Sequence, residues 1–200
     1  MHITNIEYKT KNKINIYINE ECVLQLYPKD MELYNLTIGE ELSYEKYTRI
    51  LEDTLLPRAK KKAFNILKYM DNSEFDLRRK LKNAFFPQEV IDTTVDFFIE
   101  HNYLDDEMYA SNYIKYRKES KSWRFLKMKL QTKGINGEIL ERLYIHEYLN
   151  CDEDPELIAI KKEIDKKNKD LDDLSYKEKE KIMASLYRKG FDLEKIKNFF

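Results

Sequence analysis

The first part of the chain alternates between apolar and polar residues, and the rest follows a helical spacing. Isoleucine fills every second position of residues 14–18, a period of two that is typical of a β-strand with one buried face. The polar segment 10–13 predicts a turn before this strand, and residues 3–8 and 22–27 are the expected partner strands. We therefore predict a small antiparallel sheet at the start of the chain.

Helix signals follow the sheet. Pro28 suits the first turn of a short helix that ends near Asn35, and Gly39 then breaks the chain. Ser43 is expected to cap a helix of about ten residues. From Pro57 onward the apolar residues recur about every 3.6 residues, which predicts helices over the remaining chain. Later helices are expected to start at Ser73, Pro87, Asn136 and Asp192.

Three segments of the helical part align with one another without gaps. They are residues 78–91, 127–140 and 183–196, with the sequences RRKLKNAFFPQEVI, KMKLQTKGINGEIL and MASLYRKGFDLEKI. A helix that contains an alanine precedes each of them, so we predict a three-helix unit that recurs about every 50 residues. The superposed apolar residues are Leu77, Leu126 and Ile182; Leu81, Leu130 and Leu186; Phe86, Ile135 and Phe191; and Ile91, Leu140 and Ile196.

The predicted fold class is mostly α, with three tandem three-helix repeats that resemble helix-turn-helix units and form an elongated curved array. A small N-terminal β-strand module precedes the repeats. The expected units are residues 1–57 for the strand-rich module with its short helices, and residues 58–104, 105–150 and 151–200 for the three repeats. The repeat alone indicates only an architecture, since a fold does not determine a function. By itself it therefore favours a helical array whose repeats are purely structural.

Composition agrees with a folded, helical protein. Charged residues make up 36% of the chain and hydrophobic residues 42%, while only four glycines and four prolines are present, a mixture that favours helices over a barrel or sandwich. The longest apolar run has four residues, at 157–160, far below the roughly 20 that cross a bilayer. We expect no secretory leader and no membrane partner. Cys22 and Cys151 suit free thiols in the cytoplasm.

Positive charge is concentrated in one stretch. Residues 115–133 hold eight basic residues and a single acid, Glu119, although the net charge of the chain is −1. On the expected helix, Trp123, Leu126 and Leu130 share one face and are assigned to the core. The off-face residues are Lys121, Arg124, Phe125, Lys127, Met128 and Lys129. Cations beside exposed aromatic surface suit a phosphate-bearing partner or an acidic protein groove, although a merely solvated helix would carry the same charge.

Signatures of enzymes and metal sites are not found in the sequence. The four glycines cannot form a phosphate-binding loop, and the three histidines are scattered. The acids of residues 152–163 partly match a calcium loop, but a leucine stands where that loop needs glycine, which favours an acidic helix start. Asp105 and Asp106 are likewise expected to cap a helix. We expect no catalytic residue, no metal ion and no cofactor.

Several segments carry a family resemblance. They are HNYLDDEMYASNYIKYR at residues 101–117, with YLDD at 103–106, YA at 109–110 and Tyr113; KAFNILKYMDNSEFDLRRKL at 62–81; and KLQTKGI at 129–135. In their order and spacing these segments resemble the RecX family over about residues 40–200. The strand-rich opening is similar to the N-terminal extension of some members. Phe85, Asn102 and Ser122 stand where the family usually has glycine, so the departures fall in turns.

The resemblance implies a regulator of the RecA recombinase. Family members bind RecA and its filament on single-stranded DNA, lodge in the helical groove and inhibit strand exchange, ATP turnover and the co-protease function, which modulates DNA repair and the SOS response. A monomer without enzymatic activity is implied, with at most weak direct contact to DNA. The predicted partner-binding residues are Lys115, Arg117, Lys118, Lys121, Arg124, Phe125, Lys127, Lys129 and Lys133, and on the matching helix of the first repeat Arg78, Arg79, Lys80 and Lys82. The alternative is a free-standing nucleic-acid-binding helical repeat protein.

Overall fold

Three antiparallel strands open the chain, in the order β1 (Ile3–Thr10), β2 (Lys13–Ile18) and β3 (Glu21–Leu26). The structure is a computed structural model and describes residues 2–166 and 174–200. Ile16 of β2 is paired with Leu24 of β3, and both side chains are buried because they share the inward face of the sheet. The predicted small sheet is confirmed.

The chain divides into two compact units, one that ends at Leu104 and one that begins at Asp105. The predicted third repeat includes residues 167–173, which lie outside the described residues. The helices of the first unit are α1 (Pro28–Tyr34), α2 (Tyr44–Arg49), α3 (Leu56–Tyr69), α4 (Glu74–Lys82) and α5 (Gln88–Glu100). Those of the second unit are α6 (Asp106–Lys115), α7 (Trp123–Gln131), α8 (Gly137–Tyr144), α9 (Pro155–Asp165), α10 (Tyr176–Arg188) and α11 (Leu193–Lys197). The mostly helical fold class is thereby confirmed.

The helix that follows Ser43 is longer than predicted. Ser43 does cap it, since its hydroxyl accepts the Lys46 N–H at 3.2 Å, but the helix does not end after ten residues. A π-helical segment, Ile50–Leu55, joins α2 directly to α3. Pro57 lies in the first turn of α3, and the wider π turn before it accommodates a residue that has no N–H to donate.

The other expected caps are found. Asn35 ends α1 in the left-handed conformation, with φ of 47°. Side-chain oxygens of hydroxyl, carboxylate or amide groups accept backbone N–H groups at the start of four further helices, which satisfies donors that have no partner inside the helix. The capping residues are Ser73 for α4, Asp105 for α6, Asn136 for α8 and Asp192 for α11.

The three repeats share one backbone turn after their second helix. Leu81, Leu130 and Leu186 are each at most 1% exposed, and their carbonyls accept N–H groups from the residues five positions later, Phe86, Ile135 and Phe191. The residue before each of those donors has a positive φ: 63° at Phe85, 80° at Gly134 and 87° at Gly190. The aligned leucines are therefore equivalent core positions, as predicted.

Buried apolar residues within the described part of the chain form four clusters. One joins the sheet to α1, the π-helical segment and the start of α3, and the others lie one in each repeat. Ala59 and Val90, which belong to the first repeat by sequence, pack in the cluster under the sheet. We propose that the four clusters mark the four units expected from the sequence.

An ion pair ties the strand-rich module to α3. The Arg58 guanidinium donates two hydrogen bonds to the Asp30 carboxylate, at 2.6 and 2.7 Å. Burial favours the neutral form of Asp30, but the hydrogen bonds from Arg58 and from the Tyr27 N–H hold its pKa below the usual value. The module is thus fastened to the first repeat by a neutralised pair. Within the described residues, no helix is long and apolar enough to cross a membrane.

Candidate functional site

Helix α7 carries the centre of the basic stretch and is held firmly in the second unit. The Ser122 side chain caps it by accepting the Phe125 N–H at 3.3 Å, and Leu126 and Leu130 are fully buried. The Ser122 hydroxyl also donates to the Lys189 carbonyl at 2.7 Å, in the turn after α10. The start of α7 is therefore fixed by both the second and the third repeat.

Two aromatic residues of α7 are placed differently from the prediction. Trp123, assigned to the core, is only half-buried, with its ring centroid 4.9 Å from that of Tyr144 and 5.2 Å from that of Tyr148. Phe125, expected among the exposed off-face residues, is also half-buried and packs against the core of the second repeat. A short helix that packs on a small core covers part of the ring at both positions. The prediction that Trp123 is in the core and the prediction that Phe125 is exposed were therefore both only partly right.

Four cations of this region have no neutralising partner in the part of the chain that the structure describes. Within the described residues, no carboxylate lies within 4.0 Å of the charged groups of Lys121, Arg124, Lys127 or Lys129. The ammonium groups of Lys121 and Lys129 lie 5.7 and 5.6 Å from the centroid of the Phe125 ring, within the range of a cation–π contact. We call these four residues with Phe125 the α7 surface. Their charge is available to a partner.

Two predicted site residues instead complete an internal ion pair. The Lys118 ammonium donates to the Glu147 carboxylate at 2.9 Å, and that of Lys115 lies 3.8 Å from it. Glu147 is 3% exposed and lies in a second π-helical segment, Ile145–Leu149. Burial opposes its charge, but the hydrogen bond from Lys118 keeps the Glu147 pKa below the usual value. Lys118 therefore fastens the end of α6 to this segment.

The remaining residues of the basic stretch have mixed surroundings. Arg117 is exposed, with its guanidinium 4.2 Å from the ring centroid of Tyr113. Lys133 is half-buried in the turn after α7. The single acid, Glu119, pairs with Lys162 at 2.7 Å, so its charge does not reduce that of the α7 surface. The predicted set is therefore a mixture of structural and available cations.

Two of the four cations of α4, predicted as the matching surface of the first repeat, are paired with carboxylates. Arg78 pairs with Glu74 at 2.6 Å and also with Asp92. Arg79 pairs with Asp76 at 2.8 Å, and the Lys80 ammonium donates to the Asn72 side-chain oxygen. Lys82 is exposed, and in the described part of the chain no carboxylate lies within 4.0 Å of its ammonium. Among the described residues, Lys80 and Lys82 therefore have no carboxylate partner, as is the case for the cations of the α7 surface.

The acids considered for metal binding have other roles. The Asp154 carboxylate accepts the Glu156 N–H at 2.8 Å and caps α9, which is the acidic helix start that the sequence favoured. Lys195 pairs with both Asp154 and Glu156, and Glu163 pairs with Lys166 at 2.5 Å and with Lys189. No group of three potential metal ligands is found among the residues that the structure describes.

The aromatic support of α7 was not identified from the sequence. Tyr144 and Tyr148 stack on each other with centroids 5.5 Å apart, beside Trp123. Tyr148 is 5% exposed, and its hydroxyl makes no hydrogen bond to any residue that the structure describes. Burial together with the charge of Glu156 raises the pKa of Tyr148. The spacing of four residues between the two tyrosines was the available signal, since it places them on one side of a helix.

The chain is similar to known regulatory proteins over nearly its whole length. A family model described as RecX, third three-helix domain, matches residues 154–200. Regulatory protein RecX of Clostridioides difficile is 28% identical, over 98% of this chain and 92% of that protein, and the Clostridium tetani protein of the same name is 29% identical, over 98% and 91%.

Solved structures agree with these matches. A crystal structure of regulatory protein RecX superposes with a TM-score of 0.62 at 20% identity, covering 98% of this chain and 97% of that one. RecX from Lactobacillus salivarius superposes with a TM-score of 0.59 at 23% identity, covering 72% and 92%. The fold is therefore shared with these structures, and the sequence matches show that this chain is similar to RecX proteins over nearly its whole length.

Proposed function

We propose that this protein binds the RecA recombinase and RecA filaments on single-stranded DNA, and that it inhibits their recombinase, ATPase and co-protease activities. Through this inhibition it modulates DNA repair and the SOS response. It acts in the cytoplasm as a monomer, by occupying a surface and without an active site of its own. The observation that supports the proposal is the α7 surface, where four cations stand without carboxylate partners in the described residues.

The charges of the α7 surface suit the groove of a DNA-bound filament. Phosphates and acidic side chains set a negative potential in such a groove, and it attracts cations over about 8 to 10 Å at physiological salt. Charges already neutralised within the protein would contribute little to this attraction. Within residues 2–166 and 174–200 no carboxylate neutralises the α7 cations. The buried side chains Leu126 and Leu130 hold these cations on a fixed helix.

Phe125 adds a specific element to the charge. Its half-buried ring cannot move freely, and the ammonium groups of Lys121 and Lys129 stay beside it. An apolar face flanked by cations favours a partner that offers both an acidic group and a flat or apolar group. A protein groove that also carries nucleotides meets both requirements.

The decisive experiment is a titration of the protein into a RecA ATPase assay on single-stranded DNA. Wild-type protein is expected to inhibit, and Lys121→Glu, Arg124→Glu, Lys127→Glu and Lys129→Glu in combination should raise the inhibitory concentration at least about tenfold. Helical circular dichroism should be unchanged, because the four side chains lie off the buried face. Inhibition by wild-type protein should also weaken as salt rises.

A matched control carries the same charge change in the third repeat. Lys161, Lys177, Lys181 and Arg188 are exposed, and their combined replacement by Glu should leave inhibition within about twofold of wild type. If the folded α7 variant inhibits at wild-type concentrations, or if both variants lose inhibition equally, the α7 surface is not the binding site. The elongated curved array also stays a prediction, which small-angle scattering tests.

A further inference from the structure

A basic cleft lies inside the first unit, between the N-terminal sheet and the turn that follows α4. Its volume is about 900 Å³, and Lys9, Lys13, Lys29, Tyr27 and Phe85 line it. A neighbouring depression of about 490 Å³ shares Lys13, Tyr27 and Phe85 and adds Lys61 and Lys62 to the lining. The two form one continuous surface, since the same residues border both.

The cleft is positive because its lysines have no neutralising partner among the described residues. None of the residues that line either depression is Asp or Glu, and within residues 2–166 and 174–200 no carboxylate lies within 4.0 Å of the five lysine ammonium groups. Arg58 also lines it, but Asp30 neutralises that guanidinium, which lies 4.4 Å from the Tyr27 ring centroid. Arg58 therefore positions the tyrosine, and the lysines supply the charge.

Two aromatic faces accompany this charge. Tyr27 is 41% exposed and Phe85 is 46% exposed, so each ring can still accept a flat partner. The Lys9 ammonium lies 4.5 Å from the Phe85 ring centroid. Exposed rings beside cations are the arrangement with which proteins hold single strands, because bases stack on the rings while lysines attract the phosphates.

The backbone of Phe85 provides an independent reason to assign it a function. Its φ of 63° is left-handed, a conformation that glycine adopts without steric cost and a side chain with a Cβ does not. The equivalent positions of the other repeats hold Gly134 and Gly190. Stability favours glycine here, so a strained and exposed phenylalanine at the edge of a cleft indicates use in binding.

We propose that this cleft binds single-stranded nucleic acid directly. Bases stack on Tyr27 and Phe85, and phosphates pair with the lysines that surround them. A duplex is disfavoured, because its bases are already stacked on one another and cannot reach the rings. This binding needs no recombinase and uses residues other than the α7 surface, so it stands or falls separately from the proposed inhibition of RecA.

The test measures fluorescence anisotropy of two labelled probes with the full-length protein and no RecA. One probe is a thymidine 12-mer and the other is a 12-mer of abasic sites, which keeps the phosphates but removes the bases. Wild-type protein should bind the thymidine probe more tightly. Phe85→Gly should weaken that binding about tenfold, within the range for loss of one stacked base, and should reduce the preference over the abasic probe, while Tyr27 retains part of that preference.

Stability and control variants complete the experiment. Phe85→Gly should keep or raise the melting temperature, so lost binding cannot be attributed to unfolding; Tyr27→Ala should reproduce the loss through the second ring. The double variant Lys13→Glu with Lys62→Glu should bind both probes more weakly. The double variant Lys177→Glu with Lys181→Glu on α10 should change the affinity for either probe by no more than about twofold.

Three results would overturn the proposal. The first is equal binding of the two probes by wild-type protein, and the second is a Phe85→Gly variant that keeps the full wild-type preference for thymidine. The third is a set of cleft variants that bind DNA normally but lose inhibition of RecA, since the cleft would then accept an acidic protein surface. Retained inhibition with lost DNA binding is the result expected if both proposals hold.

Discussion

Helices α4 and α7 occupy the same place in their repeats and bury the same residues, yet their surfaces differ. Leu77 and Leu81 of α4 are fully buried, as are Leu126 and Leu130 of α7. Arg78 and Arg79 of α4 are paired with carboxylates inside the first unit, whereas the cations of the α7 surface have none within 4.0 Å among the described residues. One scaffold thus supports a neutralised face and an available one.

The difference originates in the first turn of each helix. In the alignment of the repeats, Glu74 corresponds to Trp123 and Asp76 corresponds to Phe125. In α4 those acids pair with Arg78 and Arg79, while in α7 the aromatic residues add packing and no negative charge. Because exposed ion pairs contribute little to stability, the carboxylates of α4 mainly change which charges a partner can meet.

Substitutions in the shared core should cause the largest losses of stability, and the losses should be similar in the two helices. Leu81→Ala and Leu130→Ala should each lower the free energy of unfolding by about 2 to 5 kcal/mol, because each removes buried methyl groups and leaves a cavity. Urea unfolding followed by circular dichroism measures the loss. A loss below about 0.5 kcal/mol at either position would show that the two sites are not equivalent core positions.

The second-largest loss of stability is expected at the buried carboxylate of the second repeat. Glu147→Gln removes the acceptor of Lys118 and should lower the free energy of unfolding by about 1 to 3 kcal/mol at pH 7. The folded pKa of Glu147 is depressed, so its stabilising contribution is present above the unfolded pKa of about 4.3 and is lost as pH falls through the folded pKa.

The pH dependence separates this ion pair from simple packing. Wild type and Glu147→Gln should differ in unfolding free energy at pH 7 and converge as pH falls below the depressed folded pKa of Glu147, where both side chains are neutral. Urea titrations at several pH values provide the measurement. A difference that stays constant from pH 7 to pH 3 would mean that the charge of Glu147 does not stabilise the fold.

The turns after α4 and α10 share a positive φ but differ in the residue that adopts it, Phe85 in one and Gly190 in the other. Gly190→Ala should destabilise by about 2 kcal/mol, because a Cβ would combine a positive φ with a contact of 2.9 Å to the Ser122 Oγ. Phe85→Gly should instead stabilise by up to about 1 kcal/mol, since it relieves the same conformation. Thermal unfolding of both variants measures the difference, and opposite signs are the expected result.

The repeat and its core could be predicted from the sequence, because the helical period and one aligned segment identify the buried leucines. The length of the helix after Ser43 could not, since a π turn before Pro57 has no clear signature in residue preferences. The Glu74–Arg78 pair has a spacing of four and was readable. The pairs that Asp92 and Glu147 form could not be predicted, because tertiary packing brings each acid to its cation. Asp92 is 14 positions from Arg78 in the sequence, and Glu147 is 29 positions from Lys118.

The smallest changes in stability are expected for single cations, and they should distinguish a cation that is paired with carboxylates from one that is not. Arg78→Met removes a cation that pairs with Glu74 and Asp92 and should lower the free energy of unfolding by about 0.5 to 1 kcal/mol, because the pair is partly exposed. Lys127→Met removes a cation that has no carboxylate within 4.0 Å among the described residues and should change stability by no more than a few tenths of a kcal/mol.

Inhibition of RecA should respond in the opposite order. Lys127→Met should raise the inhibitory concentration about two- to threefold and reduce its salt dependence, since one charge is lost from the α7 surface. Arg78→Met should leave inhibition unchanged, because the charge of Arg78 is already neutralised by its own carboxylates. Urea unfolding and the ATPase titration, applied to both variants, give the four values required. Equal loss of inhibition in the two variants would show that internal pairing does not determine which cations a partner meets.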